Sequence, residues 1–158
     1  MHDNHVHHAG AHALDFDAYT SRSVCYNNLC EDNREEGIFV EETAHDNVIV
    51  ANTCRRNGNG IGVYSNAVGP VANNFFIGNQ LSANLAFGLT AGGYGHTANK
   101  HSEGNVFVAN TGTGNVRGMN PMHGSVHGDY WIGNTDDAAN GTWYTTPAAS
   151  ANVSMFEP

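Results

Sequence analysis

The side chains best able to do chemistry in this 158-residue chain are Asp15, Asp17, Glu36 and Glu41, with His12, Arg34 and Tyr64 in the same stretch. Carboxylates brought side by side repel unless a cation or a shared proton intervenes, so Asp15, Asp17 and Glu41 together would hold a hard cation such as Ca²⁺ or a raised pKa. An imidazole titrates near neutral pH, and a guanidinium neutralises a carboxylate, which makes His12 a candidate base and Arg34 a candidate anion partner. Tyr64 offers a phenol as a second candidate base. Phe39, Glu36, Asn59 and Tyr64 are candidate substrate contacts. A further group, "HDNHVHHAGAH", places His5 and His7 two apart, where a strand would present both on one face as Zn²⁺ ligands. A solvent-facing or subunit-contact role competes with that reading, because no Cys or carboxylate falls at a recognised ligand spacing.

Whether these groups meet depends on the architecture, and the stretch "HDNVIVANTCRRNGNGIGVYSN" at 45–66 is the clue. It sets Asn47, Asn52 and Asn57 five apart around short apolar runs and adds Gly58, Gly60 and Gly62. Helix interiors disfavour such a mixture. The phrase returns as "NNLCEDN", "ANTCRRN", "GNQLSAN" and "ANTGTGN". Its leading Asn falls at Asn4, Asn28, Asn52, Asn79, Asn110 and Asn134, in steps of 24, 24, 27, 31 and 24. A period in this range means a solenoid.

Before the anchors run Val24-Cys25-Tyr26, Val48-Ile49-Val50, Phe75-Phe76-Ile77, Val106-Phe107-Val108 and Tyr130-Trp131-Ile132, strands by composition and length. After the second Asn come Leu14-Asp15-Phe16, Ile38-Phe39-Val40, Ile61-Gly62-Val63 and Phe87-Gly88-Leu89. One rung therefore holds three short strands and three turns. Stacked rungs bring equivalent residues roughly 4.8 Å apart, so the Asn form ladders that satisfy the backbone of tight buried bends. The glycines are expected to supply positive φ. On this alignment the outward residues form one column of Asp15, Phe39, Gly62 and Gly88, and beside it a second of Asp17, Glu41, Tyr64 and Thr90. His12, Glu36, Asn59 and Arg34 lie at the turn leading in.

The chain resembles the right-handed parallel β-helix proteins of the pectin-lyase-like superfamily through their "G-I-x-V … N-x-I-x-x-N" repeat, over roughly residues 3 to 142. Leucine-rich repeats share the period, but this Leu-poor chain lacks their L-x-x-L-x-L phrase. The resemblance implies an all-β, right-handed parallel β-helix of about five to six rungs, as the hand of parallel crossovers also requires. It further implies a polysaccharide laid along the outward columns. In similar lyases and epimerases a cation or Arg neutralises a uronate carboxylate while a base removes the C5 proton. Here Arg34 would neutralise, and His12 or Tyr64 would act as base. The paired-Asp motifs of the hydrolases and the D-P-H motif of the alginate epimerases are not found. A non-catalytic binding, adhesin-like or assembly module is therefore the alternative.

Composition sets further bounds. One Lys and five Arg against 15 acidic residues give a formal charge of −9, which excludes nucleic acid as a natural partner. No apolar run approaches the ~18 residues of a membrane helix, and no signal peptide opens the sequence. Composition agrees with a secreted or periplasmic scaffold. Cys30 and Cys54 share a rung position and read as core-filling thiols, with a disulfide between them geometrically conceivable. Residues 1–146 are expected to form the β-helix and 147–158 a C-terminal tail. Anchor Asn4 puts the start inside a rung, so the expectation is a cover over that end, either rungs upstream in a longer chain or another copy.

Overall fold

The computed structural model describes residues 1–65, 69–93, 101–121, 126–137 and 154–156. Within them the chain is an all-β parallel solenoid, and no helix is long and apolar enough to cross a membrane. The first sheet follows the anchor Asn of each rung. It consists of β1 (His5–His7), β4 (Leu29–Glu31), β7 (Thr53–Arg55), β11 (Gln80–Ser82), β15 (Thr111–Thr113) and β19 (Thr135–Asp136). A second sheet follows the second Asn: β2 (Leu14–Phe16), β5 (Glu36–Glu41), β8 (Asn59–Ser65), β12 (Phe87–Gly93) and β16 (Arg117–Pro121). The third runs into the anchors: β3 (Val24–Tyr26), β6 (Val48–Val50), β10 (Phe75–Ile77), β14 (Val106–Val108), β18 (Tyr130–Ile132) and β20 (Ser154–Phe156). A small fourth sheet joins β9 (Val71–Ala72), β13 (Ser102–Glu103) and β17 (Val126–His127) of rungs three to five. Every pairing is parallel, as stacking in one direction demands.

The expected ladder exists three times over. Asn4, Asn28, Asn52, Asn79, Asn110 and Asn134 form one stack, Asn33, Asn57, Asn84 and Asn115 a second, and Asn47, Asn74, Asn105 and Asp129 a third. Asn47, Asn52 and Asn57 thus contribute one amide to each corner of a rung. Asn52 is typical: its backbone N–H and its Nδ2 both donate to Asn79 Oδ1 at 3.0 Å, and Nδ2 also donates to Cys25 O of the rung before at 3.0 Å. Buried bends have no water to bond, so the side chain supplies what a ladder of strands cannot.

Each ladder residue follows one in the left-handed region. Asn27, Ala51, Gly78 and Ala109 precede the first stack at φ of 50 to 60°. Asp32, Arg56 and Ala83 do so before the second, and Asp46 and Asn73 before the third. A left-handed non-Gly residue costs about 1–2 kcal/mol, which the amide bonds of the next residue offset. The three glycines of the 45–66 stretch therefore do something other than expected: none of Gly58, Gly60 and Gly62 is left-handed. They are there for close approach. A Cβ on Gly37 would lie 2.8 Å from Asn57 Nδ2, and one on Gly88 2.8 Å from Asn115 Nδ2, while one on Gly60 would meet the Gly88 carbonyl. The glycine of the G-I-x-V phrase is where the chain crosses the next rung's ladder amide.

That crossing corrects the expected register in rung four. Leu89 pairs with Ile61 and Thr90 with Gly62, so Gly88 lies over Gly60, not Gly62. The outward columns become Asp15, Phe39, Gly62, Thr90 and then Glu41, Tyr64, Gly92. The physical reason is one residue: Asn57 reaches Ile61 in four steps, whereas Asn33 to Ile38 and Asn84 to Leu89 take five.

The core is a column of inward side chains, with Phe76, Phe107 and Trp131 stacked at 4.8 and 4.2 Å between ring centroids. Cys30 and Cys54 sit in register with Leu81, and with Cys25 they are buried free thiols. Burial pushes the Cys25 thiol up to about 11, so it stays protonated as a small apolar filler. The sequence also leads one to expect long turn inserts at 65–73 and 91–104, of which 66–68 and 94–100 lie outside the described residues. Of residues 147–158, the described Ser154–Phe156 pair with β18.

Candidate functional site

A groove of about 650 Å³ opens on the outer face of the β2–β5–β8–β12–β16 sheet, bordered by His12, Arg34, Glu35, Phe39, Glu41 and Tyr64 among others. Part of its floor is packed over Gly62, which has no side chain of its own. Glu36, Phe39 and Tyr64 lean over that position, where a Cβ would stand 2.7 Å from Tyr64 and 2.8 Å from Glu36. Phe39 and Tyr64 are nearly covered, their rings 5.6 Å apart and tilted. The His12 ring stacks on Phe39 at 4.3 Å. The face of Phe39 expected to receive a sugar is thus occupied by His12, and the two aromatics form a floor that holds the imidazole in place.

His12 is the electrostatic centre. Its Nδ1 lies 2.7 Å from Glu36 Oε2 and its Nε2 3.4 Å from Glu35 Oε2. Glu36 Oε2 thus stands beside Nδ1 without a directed hydrogen bond to it. Glu36 is buried and held from the other side by Asn59, whose Nδ2 donates to Glu36 Oε1 at 2.8 Å. Asn59 is itself fixed, its Oδ1 accepting the Phe87 N–H at 3.0 Å. One donor atom from each of His12, Glu35 and Glu36 lies within 4.8 Å of the others, a spread that suits a divalent cation. Asp15, the register partner of Phe39 in the rung before, has its carboxyl pushed up chiefly by loss of water; His12 opposes the rise, and Asp17, Glu36 and Glu42 add to it.

The structure therefore brings His12, Arg34, Glu36, Phe39, Glu41, Asn59 and Tyr64 to one groove. Asp15 and Asp17 are exposed beyond its border, and Asp17 Oδ1 accepts the Ala18 N–H at 2.6 Å, a local turn contact. His5 and His7 lie elsewhere on β1, with ring centroids 4.8 Å apart. His5 Nε2 is 2.7 Å from Glu31 Oε1, and Arg55 Nε donates to Glu31 Oε2 at 2.7 Å, so Glu31 is drawn down to about 2 chiefly by Arg55 and then His5. Sequence reasoning passed over Glu35, Leu85 and Ala86. Glu35 carried a usable signal, standing one residue before Glu36 and one period after Ala11, in the turn that faces His12.

Comparison with known proteins bears on the fold. The family described as "Right handed beta helix region" matches residues 1–112. Among solved structures, a double mutant of the periplasmic alginate epimerase AlgG is similar at a TM-score of 0.66 and 17% identity, over 99% of this chain. The chain spans 38% of that structure's length. No curated protein matches the sequence.

Proposed function

The chain belongs to the right-handed β-helix family, and from that premise we propose that its groove binds a polysaccharide across neighbouring rungs and acts on a uronate unit as a lyase or epimerase does. The observation that carries the reading is the His12–Glu36 pair, a base held by a buried carboxylate in an open groove of sugar size. The name of the similar structure, an alginate epimerase, supports the same substrate class. Such substrates are met outside the cytoplasm, and the proposal puts the chain there.

In this reading the neutral imidazole of His12 accepts the C5 proton of the uronate. Glu36 stabilises the imidazolium that forms, much as a carboxylate steadies a histidine base elsewhere. Arg34, exposed on the border, pairs with the uronate carboxylate whose charge grows as the proton leaves. Tyr64 stands as the second proton-bearing group. With Glu35, Glu36 and Glu41 on the groove, a polyuronate would be repelled, and a Ca²⁺ ion held between Glu35 and Glu36 would supply the compensating charge.

The test is calorimetry of oligouronate binding with and without Ca²⁺, beside proton exchange at C5 followed by NMR in D₂O. The expected result is Ca²⁺-dependent binding and C5 exchange, both lost in Glu36→Gln. Binding of a neutral oligosaccharide alone, or C5 exchange unchanged in His12→Ala, would overturn the reading.

A further inference from the structure

The outward residues of β3, β6, β10, β14 and β18 form two unbroken apolar columns. The register aligns Val24, Val48, Phe75, Val106 and Tyr130 in one, and Tyr26, Val50, Ile77, Val108 and Ile132 in the other. Val24, Tyr26, Phe75, Tyr130 and Ile132 are 36 to 47% exposed, and the other five are half-buried. Inward, the same strands carry Cys25, Ile49, Phe76, Phe107 and Trp131, all buried. These strands are therefore apolar on both faces, the pattern of a parallel sheet covered on both sides. The other long sheets differ. The outward positions of β1, β4, β7 and β11 include His5, Thr53 and Gln80 in one column and His7, Glu31, Arg55 and Ser82 in the other, as a solvated face requires.

We propose that this face is a self-association surface, on which a second copy of the chain packs sheet against sheet. Three observations select that occupant. Neither column contains an acid, a Lys or an Arg, so there is no charge for an oppositely charged partner to read. The register lines the side chains up as ridges at the strand spacing, and their natural complement is another such array, as in aligned sheets packed about 10 Å apart. The exposed parts of the ten side chains amount to about 500 Å² per copy, hence about 1,000 Å² between two, which reaches the size of a specific though modest interface. A two-fold contact uses the same patch twice, so one chain suffices to build it. Each copy carries −9, and that repulsion acts at the rim of the contact. Association should therefore tighten as salt rises, opposite to a contact held by ion pairs. The face lies on a different sheet from the groove, so self-association and sugar binding are separable.

Sedimentation equilibrium of the full chain, up to about 100 µM and at low and high salt, tests the proposal. The expected result is a monomer–dimer equilibrium that strengthens with salt and weakens at least tenfold in Phe75→Glu. Phe75→Thr keeps a strand-favouring residue and guards against a folding defect; it should weaken the dimer less, with far-UV circular dichroism unchanged. A chain monomeric at both salts, or a dimer indifferent to both Phe75 variants, would overturn it. So would a monomer that instead binds zwitterionic vesicles through this face.

Discussion

Replacing Asp129 by Asn should make the protein more stable at neutral pH and leave it almost unchanged in acid. Asp129 ends the third ladder, fully buried, at the position Asn fills in the rungs before it. Its Oδ1 accepts the Asn105 N–H at 2.7 Å and Asn105 Nδ2 at 3.3 Å, and Ser102 Oγ donates to Oδ2. Burial raises its pKa to about 7 despite those bonds, and nearby Glu103 adds a like charge. In the unfolded chain the carboxyl returns to its ordinary 3.8. Below about pH 4 both states hold the proton and the group contributes no difference. Between about pH 4 and 7 only the unfolded state releases it, so stability falls as pH rises, and it levels off above. The gap is worth about 4 kcal/mol at most. In Asp129→Asn the new amide nitrogen can donate to Ser102 Oγ, which has a lone pair for it, and the amide oxygen keeps both contacts with Asn105. Urea unfolding of both proteins at pH 4, 6 and 8, followed by tryptophan fluorescence, isolates the group, because every other carboxyl is common to the pair. The difference in unfolding free energy should grow with pH to a few kcal/mol. A difference flat across that range, or one favouring Asp129 at pH 8, would refute the reasoning.

Two more perturbations follow from the packing, and a third from the ladder. Gly62→Ala places a Cβ against Tyr64, Glu36 and Phe39, side chains that can yield, so it should cost about 1–3 kcal/mol in thermal or urea unfolding and weaken oligouronate binding by displacing Glu36. Gly60→Ala meets the Gly88 carbonyl and should cost more in the same assay while leaving the groove residues untouched. Asn79→Ala removes the acceptor for two Asn52 donors, both buried, and should cost about 2–5 kcal/mol in urea unfolding, since each orphaned group loses its bond without gaining water.

The repeat was legible because a solenoid rung sees only its neighbours. Like must stack on like, so the anchors from Asn4 to Asn134 and the apolar strands before them announce their own alignment. The meeting of His12 with Glu36 was legible for the same reason, the two standing 24 residues apart, one rung's length. The register of rung four was not, because Gly60 and Gly62 are the same residue type, and only the hydrogen-bond ladder shows that the corner after Asn57 is a residue short. Nor did residue type reveal that Ala51, Arg56 and Ala109 bend left-handed, a strain accepted only because the next side chain is locked in a stack. Phe39 and Glu35 show the same divide at the groove. That Phe39 faces outward follows from alternation along β5, whereas its covering by His12 and the turning of Glu35 toward that ring depend on rotamers and turn geometry. A repeat fixes translation along the axis, which one sequence can display. Side chains from different rungs meet through distances across that axis, and tertiary packing alone sets those.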